Sequence, residues 1–255
     1  MRNLFSVEGK VVLVTGGSRG IGEMIARGYV ENGAKVYISS RKADVCQRLA
    51  DELSEYGTCI PLPFDLGGME GIVGLAAAIA EREPKLDVLI NNAGATWGAP
   101  IDEYPEDGWD KTVDLNVKSI FFLTQKLLPQ LRAAASPENP SRVINIASVN
   151  GIEPPALETY AYSTSKAGCI MLTRHLAKRL AREHIRVNAI APGPFPSKMM
   201  AATLAQAGDA IANNNPSGRI GQPEDIAGVA IFLGSRASAY TTGAVVPCDG
   251  GSAEV

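Results

Sequence analysis

The chain has 255 residues and a formal net charge of −3, a balance that gives no electrostatic reason to expect nucleic acid or an anionic membrane as its main partner. A hydrophobic fraction of 45% beside 20% charged residues is that of a soluble globular chain, long enough for one large α/β domain and without an apolar run of membrane-spanning length. Two histidines (His175 and His184) and four scattered cysteines without a CxxC pair suit neither a metal site nor a disulfide framework, and point to reduced thiols.

The opening "MRNLFSVEGKVVLVTGG" lacks a signal peptide's apolar stretch, so the expected location is cytoplasmic. Its "KVVLVT" (10–15) reads as a first strand, followed by a helical pattern over 20–32 that stops at Asn32-Gly33. Further strands are expected at "AKVYISS" (34–40), "TCIPLPF" (58–64), "LDVLINN" (86–92), "SRVINIAS" (141–148), "IRVNAIAP" (185–192) and "GAVVPC" (243–248). Most are continuously apolar rather than alternating, as in strands covered on both faces. Helical patterns fall near 42–55, 69–82, 106–131, 161–183 and 223–234. "LRAAASPENPSR" (131–142) reads as a helix end and a loop. Strand and helix in alternation give βαβ units and a parallel sheet with right-handed crossovers. No linker or repeat divides residues 1–255, so the expected fold is a single domain: a seven-stranded, doubly wound Rossmann-type sheet. The insertion around 193–218 follows a strand's carboxyl end, where this architecture places substrate lids.

"TGGSRGIG" (15–22) joins the first strand to the first helix. Gly16 permits the tight turn, Gly20 lets the chain approach a pyrophosphate, and Gly22 allows close helix packing. The helix N-terminus offers free N–H groups and a positive dipole end. Glycines also serve plain turns; in this βαβ context the pattern points to a dinucleotide held by Gly16, Ser18, Arg19, Gly20 and Ile21. The second strand ends "ISSRK", with no acid before Asp44. A carboxylate there would bind a ribose 2′-hydroxyl; Arg41, with Arg19 on the same side, instead suits the 2′-phosphate of NADP(H).

"ETYAYSTSKAG" (158–168) carries two tyrosines and a lysine. A hydride arriving at a carbonyl leaves negative charge on oxygen, which needs a proton donor and a polarising group. Tyrosine, with a reference pKa of about 10, donates readily only where a nearby ammonium stabilises the phenolate. Tyr162 and Lys166 stand at i, i+4 on one helix face, whereas Tyr160 lies about 240° around the helix from Lys166. A surface aromatic–cation pair is the plain alternative for YxxxK taken alone.

These motifs, together with "DL" (65–66), "NNAG" (91–94), "LNV" (115–117), "INIAS" (144–148), "YSTSK" (162–166), "PG" (192–193), "RIGQPEDIA" (219–227) and "TGAVVPCDGG" (242–251), resemble the single-domain short-chain dehydrogenase/reductases nearly end to end. "GATWGAP" and "APGPFPSKM" look like the NADPH-dependent β-ketoacyl reductases among them. The resemblance implies that Asp65 and Leu66 bracket the adenine and that Asn92, Ala93 and Gly94 pack along the adenosine ribose. Pro192 and Gly193 would meet the nicotinamide, and Ser197 stands where the family usually has threonine. The family's catalytic set would be Ser148, which polarises the carbonyl, Tyr162, Lys166 and Asn116, with Lys166 also on the nicotinamide ribose and Asn116 holding a relay water. For Asn116 the plain alternative is a polar residue that kinks its helix. The gap from Ser148 to Tyr162 is one residue longer than the family pattern, so the intervening loop differs in its substrate contacts.

"SIFFLT" (119–124) and "CIMLT" (169–173) are apolar around a full turn, which suits helices buried between subunits; the family commonly forms tetramers through them. The leading expectation is an NADPH-dependent reductase of ketones such as β-ketoacyl thioesters. The alternatives are an alcohol or sugar (polyol) dehydrogenase of the same fold, or a non-catalytic NADP-binding sensor. A pocket lined by Phe195, Met199, Met200 and Leu204 would favour acyl chains. An acyl carrier protein as partner would need arginines at the pocket mouth, for which Arg132 and Arg182 are the candidates.

Overall fold

The structure, a computed structural model, describes residues 3–198 and 200–253. Seven strands form one sheet: β1 (Val11–Thr15), β2 (Lys35–Ser39), β3 (Thr58–Leu62), β4 (Val88–Asn91), β5 (Ser141–Ile146), β6 (Ile185–Pro192) and β7 (Val245–Cys248). Every pairing is parallel, and the spatial order is β3-β2-β1-β4-β5-β6-β7. All seven expected strands are present, each within a few residues of the range read from the sequence.

Successive residues of a strand point to opposite faces, and here both faces are covered. Val12, Val14, Val36, Ile38, Val88 and Ile90 enter one core, with α1 (Gly20–Glu31), α2 (Ala43–Leu53) and α8 (Pro223–Gly234). Leu13, Tyr37, Leu89, Val143 and Val187 enter the other, with α3 (Met69–Arg82), α5 (Ser119–Ala134) and α6 (Tyr160–Leu180). Two-sided burial is why these strands read as unbroken apolar runs.

One expectation about helices is corrected. The pattern over 106–131 is not one α-helix: α4 (Glu106–Val113) gives way to a wide π-helical turn at Asp114–Lys118 before α5 resumes. The 193–218 segment, expected as an insertion, carries a helix of its own, α7 (Ala201–Asn214), with a non-helical break at Ala207 (φ −139°). Among the described residues, no helix is long and apolar enough to cross a membrane.

The strand order fixes where a site can form. The chain steps outward from β1 to β3, then returns across β1 to start β4, so β1 and β4 lie side by side with their onward connections on opposite sides. That reversal opens a crevice at the carboxyl ends of the strands, the place where sheets of this kind bind ligands.

Candidate active site

The floor of the crevice is the turn after β1. Gly16 and Gly20 have φ of +62° and +56°, a left-handed conformation that side chains disfavour. A Cβ on Gly16 would also lie 2.9 Å from Ala93 Cα. Gly22, expected to ease helix packing, instead lies against the Gly16 carbonyl and the Asn92 amide, so its missing side chain serves the turn itself. Asn92, expected along the ribose, has its Nδ2 donating to the carbonyls of Thr15 (2.9 Å) and Gly16 (3.1 Å). The Thr15 hydroxyl accepts from the backbone N–H of both Asn92 and Ala93 at 3.0 Å. Thr15 thus sews β4 to the glycine turn, a role the sequence reading missed although the residue opens the motif. Ser18 is buried, Ile21 packs against the core, and Arg19 is exposed as the first residue before α1.

At the end of β2, Arg41 and Lys42 are exposed, and neither they nor Arg19 take part in an ion pair among the described residues. The buried Ser39 hydroxyl beside them lacks a hydrogen-bond partner. Three uncommitted cations and an unsatisfied buried donor are a donor set that fits a phosphate monoester. Asp65 is exposed, with Oδ1 accepting from the Gly67 N–H at 3.0 Å, and Leu66 is buried.

Across the crevice, Ser148 follows β5 and is buried; its Oγ accepts from the Asn150 N–H at 3.2 Å, opening a short 3-10 turn at Val149–Gly151. Gly151 of that turn packs on the backbone of Lys166 and Ala167, which brings the serine's loop onto α6. Tyr162 and Lys166 share one face of α6, with Lys166 Nζ 5.6 Å from the Tyr162 ring centre. Lys166 as a whole is 5% exposed, and its buried ammonium donates to the Ile146 carbonyl at 2.7 Å. A Cβ on Gly94 would stand 3.7 Å from it.

Asn116 lies within the wide turn and is fully buried. Its Oδ1 accepts from the Ala95 N–H at 2.8 Å, and its Nδ2 donates to the Ala95 carbonyl and to Ser165 Oγ, each at 2.9 Å. Ser165 Oγ in turn donates to the Tyr162 carbonyl at 2.7 Å. Both amide donors are therefore committed within the protein, and the side chain clamps the chain after β4 to α6. Ser165 was not singled out in the sequence; its only signal was its place inside "YSTSK". Behind these groups, Asn91 donates to Asn145 Oδ1 and Asn145 to Thr173 Oγ1, both at 2.9 Å, which ties β4 and β5 to α6.

Pro192 ends β6, and the Gly193 N–H donates to the Cys248 carbonyl at 3.0 Å, with Asp249 too close for any side chain on Gly193. Ser197 accepts from the Met200 N–H, and its Cβ would be 3.1 Å from a Cβ on Gly20, so the start of the 193–218 segment rests on the glycine turn.

Phe195 and the two arginines lie elsewhere than expected. Phe195 is only 2% exposed and packs into the core against Gly221 instead of lining a pocket. Met200 and Leu204 are half-buried, and Met199 lies outside the described residues. Arg132 bonds Glu183 at 2.7 Å in the last turn of α5, where the Gln130 carbonyl accepts from Leu86, just before β4. Arg182 sits in the turn after α6, whose His184 carbonyl accepts from the first residue of β5. Both arginines stand where strands begin, at the end of the sheet away from this crevice, because α5 and α6 run back across the whole sheet.

Comparison with known proteins agrees with this geometry. Residues 16–253 match the family described as "Enoyl-(Acyl carrier protein) reductase". The chain is 51% identical over 253 residues to the rhamnolipids biosynthesis 3-oxoacyl-[acyl-carrier-protein] reductase of Pseudomonas aeruginosa, covering 98% of this chain and 99% of that one. It is 32% identical over 253 residues to gluconate 5-dehydrogenase of Gluconobacter oxydans, covering 98% and 96%. Among solved structures, the Pseudomonas aeruginosa RhlG/NADP active-site complex superposes with a TM-score of 0.94 at 51% identity, covering 98% of this chain and 99% of that one. A sheet that reverses between β1 and β4, a glycine turn tied to the end of β4, and a tyrosine–lysine pair on the helix after β5 place this chain in the short-chain dehydrogenase/reductase family.

Proposed function

We propose that this protein is an NADPH-dependent reductase that delivers hydride to the ketone of a β-ketoacyl thioester. The observation that carries the reading is the buried Lys166 ammonium 5.6 Å from the Tyr162 ring, next to the Ser148 turn and facing the crevice floored by the glycine turn. NADP(H) suits the residues present: Arg19, Arg41 and Lys42 for the 2′-phosphate, Gly16, Gly20 and the N-terminus of α1 for the pyrophosphate, and Pro192, Gly193 and Ser197 at the nicotinamide end. When bound, the reduced nicotinamide supplies the hydride.

The chain's own groups then handle the oxygen. Ser148 donates a hydrogen bond to the carbonyl oxygen and polarises the bond toward attack. Tyr162 gives its hydroxyl proton to that oxygen as the carbon gains the hydride, so the ketone becomes an alcohol and the charge passes to the phenolate. Lys166 faces that charge from a buried position, where an ion pair is screened least. Asn116 holds Ala95 and Ser165, and through Ser165 the Tyr162 carbonyl, so that the pair keeps its register.

A polyol dehydrogenase is the second reading, supported by the likeness to gluconate 5-dehydrogenase. A nucleotide sensor would have no physical use for a buried lysine aligned on a tyrosine. In this reading the enzyme works in the cytoplasm as a homotetramer, assembled through α5 and α6, where Phe121 is 37% and Met171 61% exposed. Whether coenzyme A or an acyl carrier protein carries the thioester is decided by comparing the two as substrates. Tyr162→Phe is the direct test: turnover of a β-ketoacyl thioester should fall at least about a hundredfold while NADPH binding is retained. Undiminished turnover refutes the reading, and an enoyl thioester as the better substrate redirects it.

A further inference from the structure

Tyr160 is two residues before Tyr162, about 200° around the helix, so the two rings leave α6 on opposite sides. The Tyr160 ring meets Tyr104 edge-on, with centroids 5.7 Å apart at 71°. Tyr104 also meets Trp109 edge-on at 6.3 Å, and its hydroxyl donates to the Trp97 carbonyl at 3.0 Å. Lys111 lies over the Trp97 ring at 5.5 Å, and Gly108 leaves the space that this ring occupies. Backbone contacts repeat the link, since the Ala99 N–H donates to the Glu158 carbonyl at 3.2 Å. Segment 97–109 is thereby attached to the residues immediately before the catalytic helix, two residues beyond the Ala95 that Asn116 clamps.

Building on the proposed reductase activity, we infer that Tyr160 is a positioning residue: it holds the aromatic wall of Trp97, Tyr104 and Trp109 beside the crevice, where the wall receives the uncharged apolar chain of the substrate. The surface chemistry of this wall selects that occupant. Ile101 and Leu157 add exposed apolar surface, at 66% and 61%. Around them Asp102, Glu103, Glu106, Asp107 and Glu158 are exposed carboxylates that outnumber Lys111, the cation over Trp97, and their net field disfavours a sugar acid next to the reacting carbonyl. A thioester keeps its anionic groups at the far end of a long arm, away from this field, and offers rings and methylenes the contact they favour.

Both tryptophans of the chain, Trp97 and Trp109, belong to this wall, so intrinsic fluorescence reports its geometry without turnover. Tyr160→Ala and Tyr160→Phe are to be compared with the unaltered enzyme on a long-chain β-ketoacyl thioester and on 5-keto-gluconate, each with NADPH. For Tyr160→Ala the expected result is a KM for the thioester raised about three- to tenfold, with kcat within about twofold, KM for NADPH unchanged and tryptophan emission shifted. Tyr160→Phe, which keeps the ring, restores the thioester KM and the emission. Tyr104→Leu removes the same ring contact from the other side and must reproduce the KM shift, which keeps the test decisive if Tyr160→Ala folds poorly. Unchanged emission with unchanged KM, or a loss confined to kcat, overturns the role of Tyr160. A kcat/KM for 5-keto-gluconate equal to that for the thioester overturns the selection. Failure of the unaltered enzyme to reduce the thioester would instead sink the proposed function, and the emission of the variants would still decide the positioning role.

Discussion

Replacing Asn116 with alanine tests whether the wide turn between α4 and α5 exists to clamp α6, the helix that carries Tyr162 and Lys166. The buried amide makes three hydrogen bonds, two with Ala95 and one to Ser165. At about 1 kcal/mol net for each, their loss should cost about 3 kcal/mol. For a chain of this size that corresponds to a fall in Tm of about 6–12 °C. Thermal unfolding followed by circular dichroism measures it, and a double-mutant cycle with Ser165→Ala isolates the contact: the two effects should fall short of additivity by about 1 kcal/mol. Because Ser165 also holds the Tyr162 carbonyl, Asn116→Ala should lower kcat at least about tenfold when assayed well below the variant's Tm. A shift of less than about 3 °C, or strict additivity with Ser165→Ala, would show that the clamp does not carry the stability assigned to it.

Two other predictions concern charge. Arg41→Glu should reverse cofactor preference: loss of a charge-assisted bond to the 2′-phosphate costs about 1.5–3 kcal/mol, so kcat/KM for NADPH should fall about tenfold to a hundredfold while that for NADH holds or rises. An unchanged NADPH/NADH ratio would refute the placement of the phosphate at the end of β2. Asp225 accepts from both terminal nitrogens of Arg219 and from the Gln222 N–H at the start of α8, and the Arg219 bonds in particular hold its carboxyl below the usual 3.8. A group with a depressed folded pKa stabilises the fold above its unfolded value and loses that contribution as pH falls through the folded one. The Tm gap between the unaltered protein and Asp225→Asn should therefore be widest near neutrality and close below about pH 4; a gap independent of pH would contradict it.

Much of the site was legible in the chain because its signals are local. Gly16 and Gly20 must adopt positive φ wherever the turn forms, and Tyr162 and Lys166 share a helix face whatever lies around them. The same holds for the strands, since two-sided burial writes itself as uninterrupted apolar runs. Misreadings arose where packing from a distant segment decides. Phe195 looked like a pocket residue, yet the space left by Gly221, far along the chain, draws its ring into the core. Arg132 and Arg182 looked like candidates for a pocket mouth, but helix length carries both to the opposite end of the sheet. The 193–218 segment has a mixed composition that hides α7, whose helix breaks at Ala207 and whose end is tied down by the Asn215 side chain on the Asp249 carbonyl.

The sequence by itself determined the doubly wound sheet, the glycine turn after its first strand and the shared helix face of Tyr162 and Lys166, because each follows from periodicity or from spacing within one element. Only the tertiary structure decided what Asn116, Asn92, Ser165 and Tyr160 hold. Their partners lie on other elements, and hydrogen bonds or ring contacts between segments far apart in the chain leave no periodic trace in it.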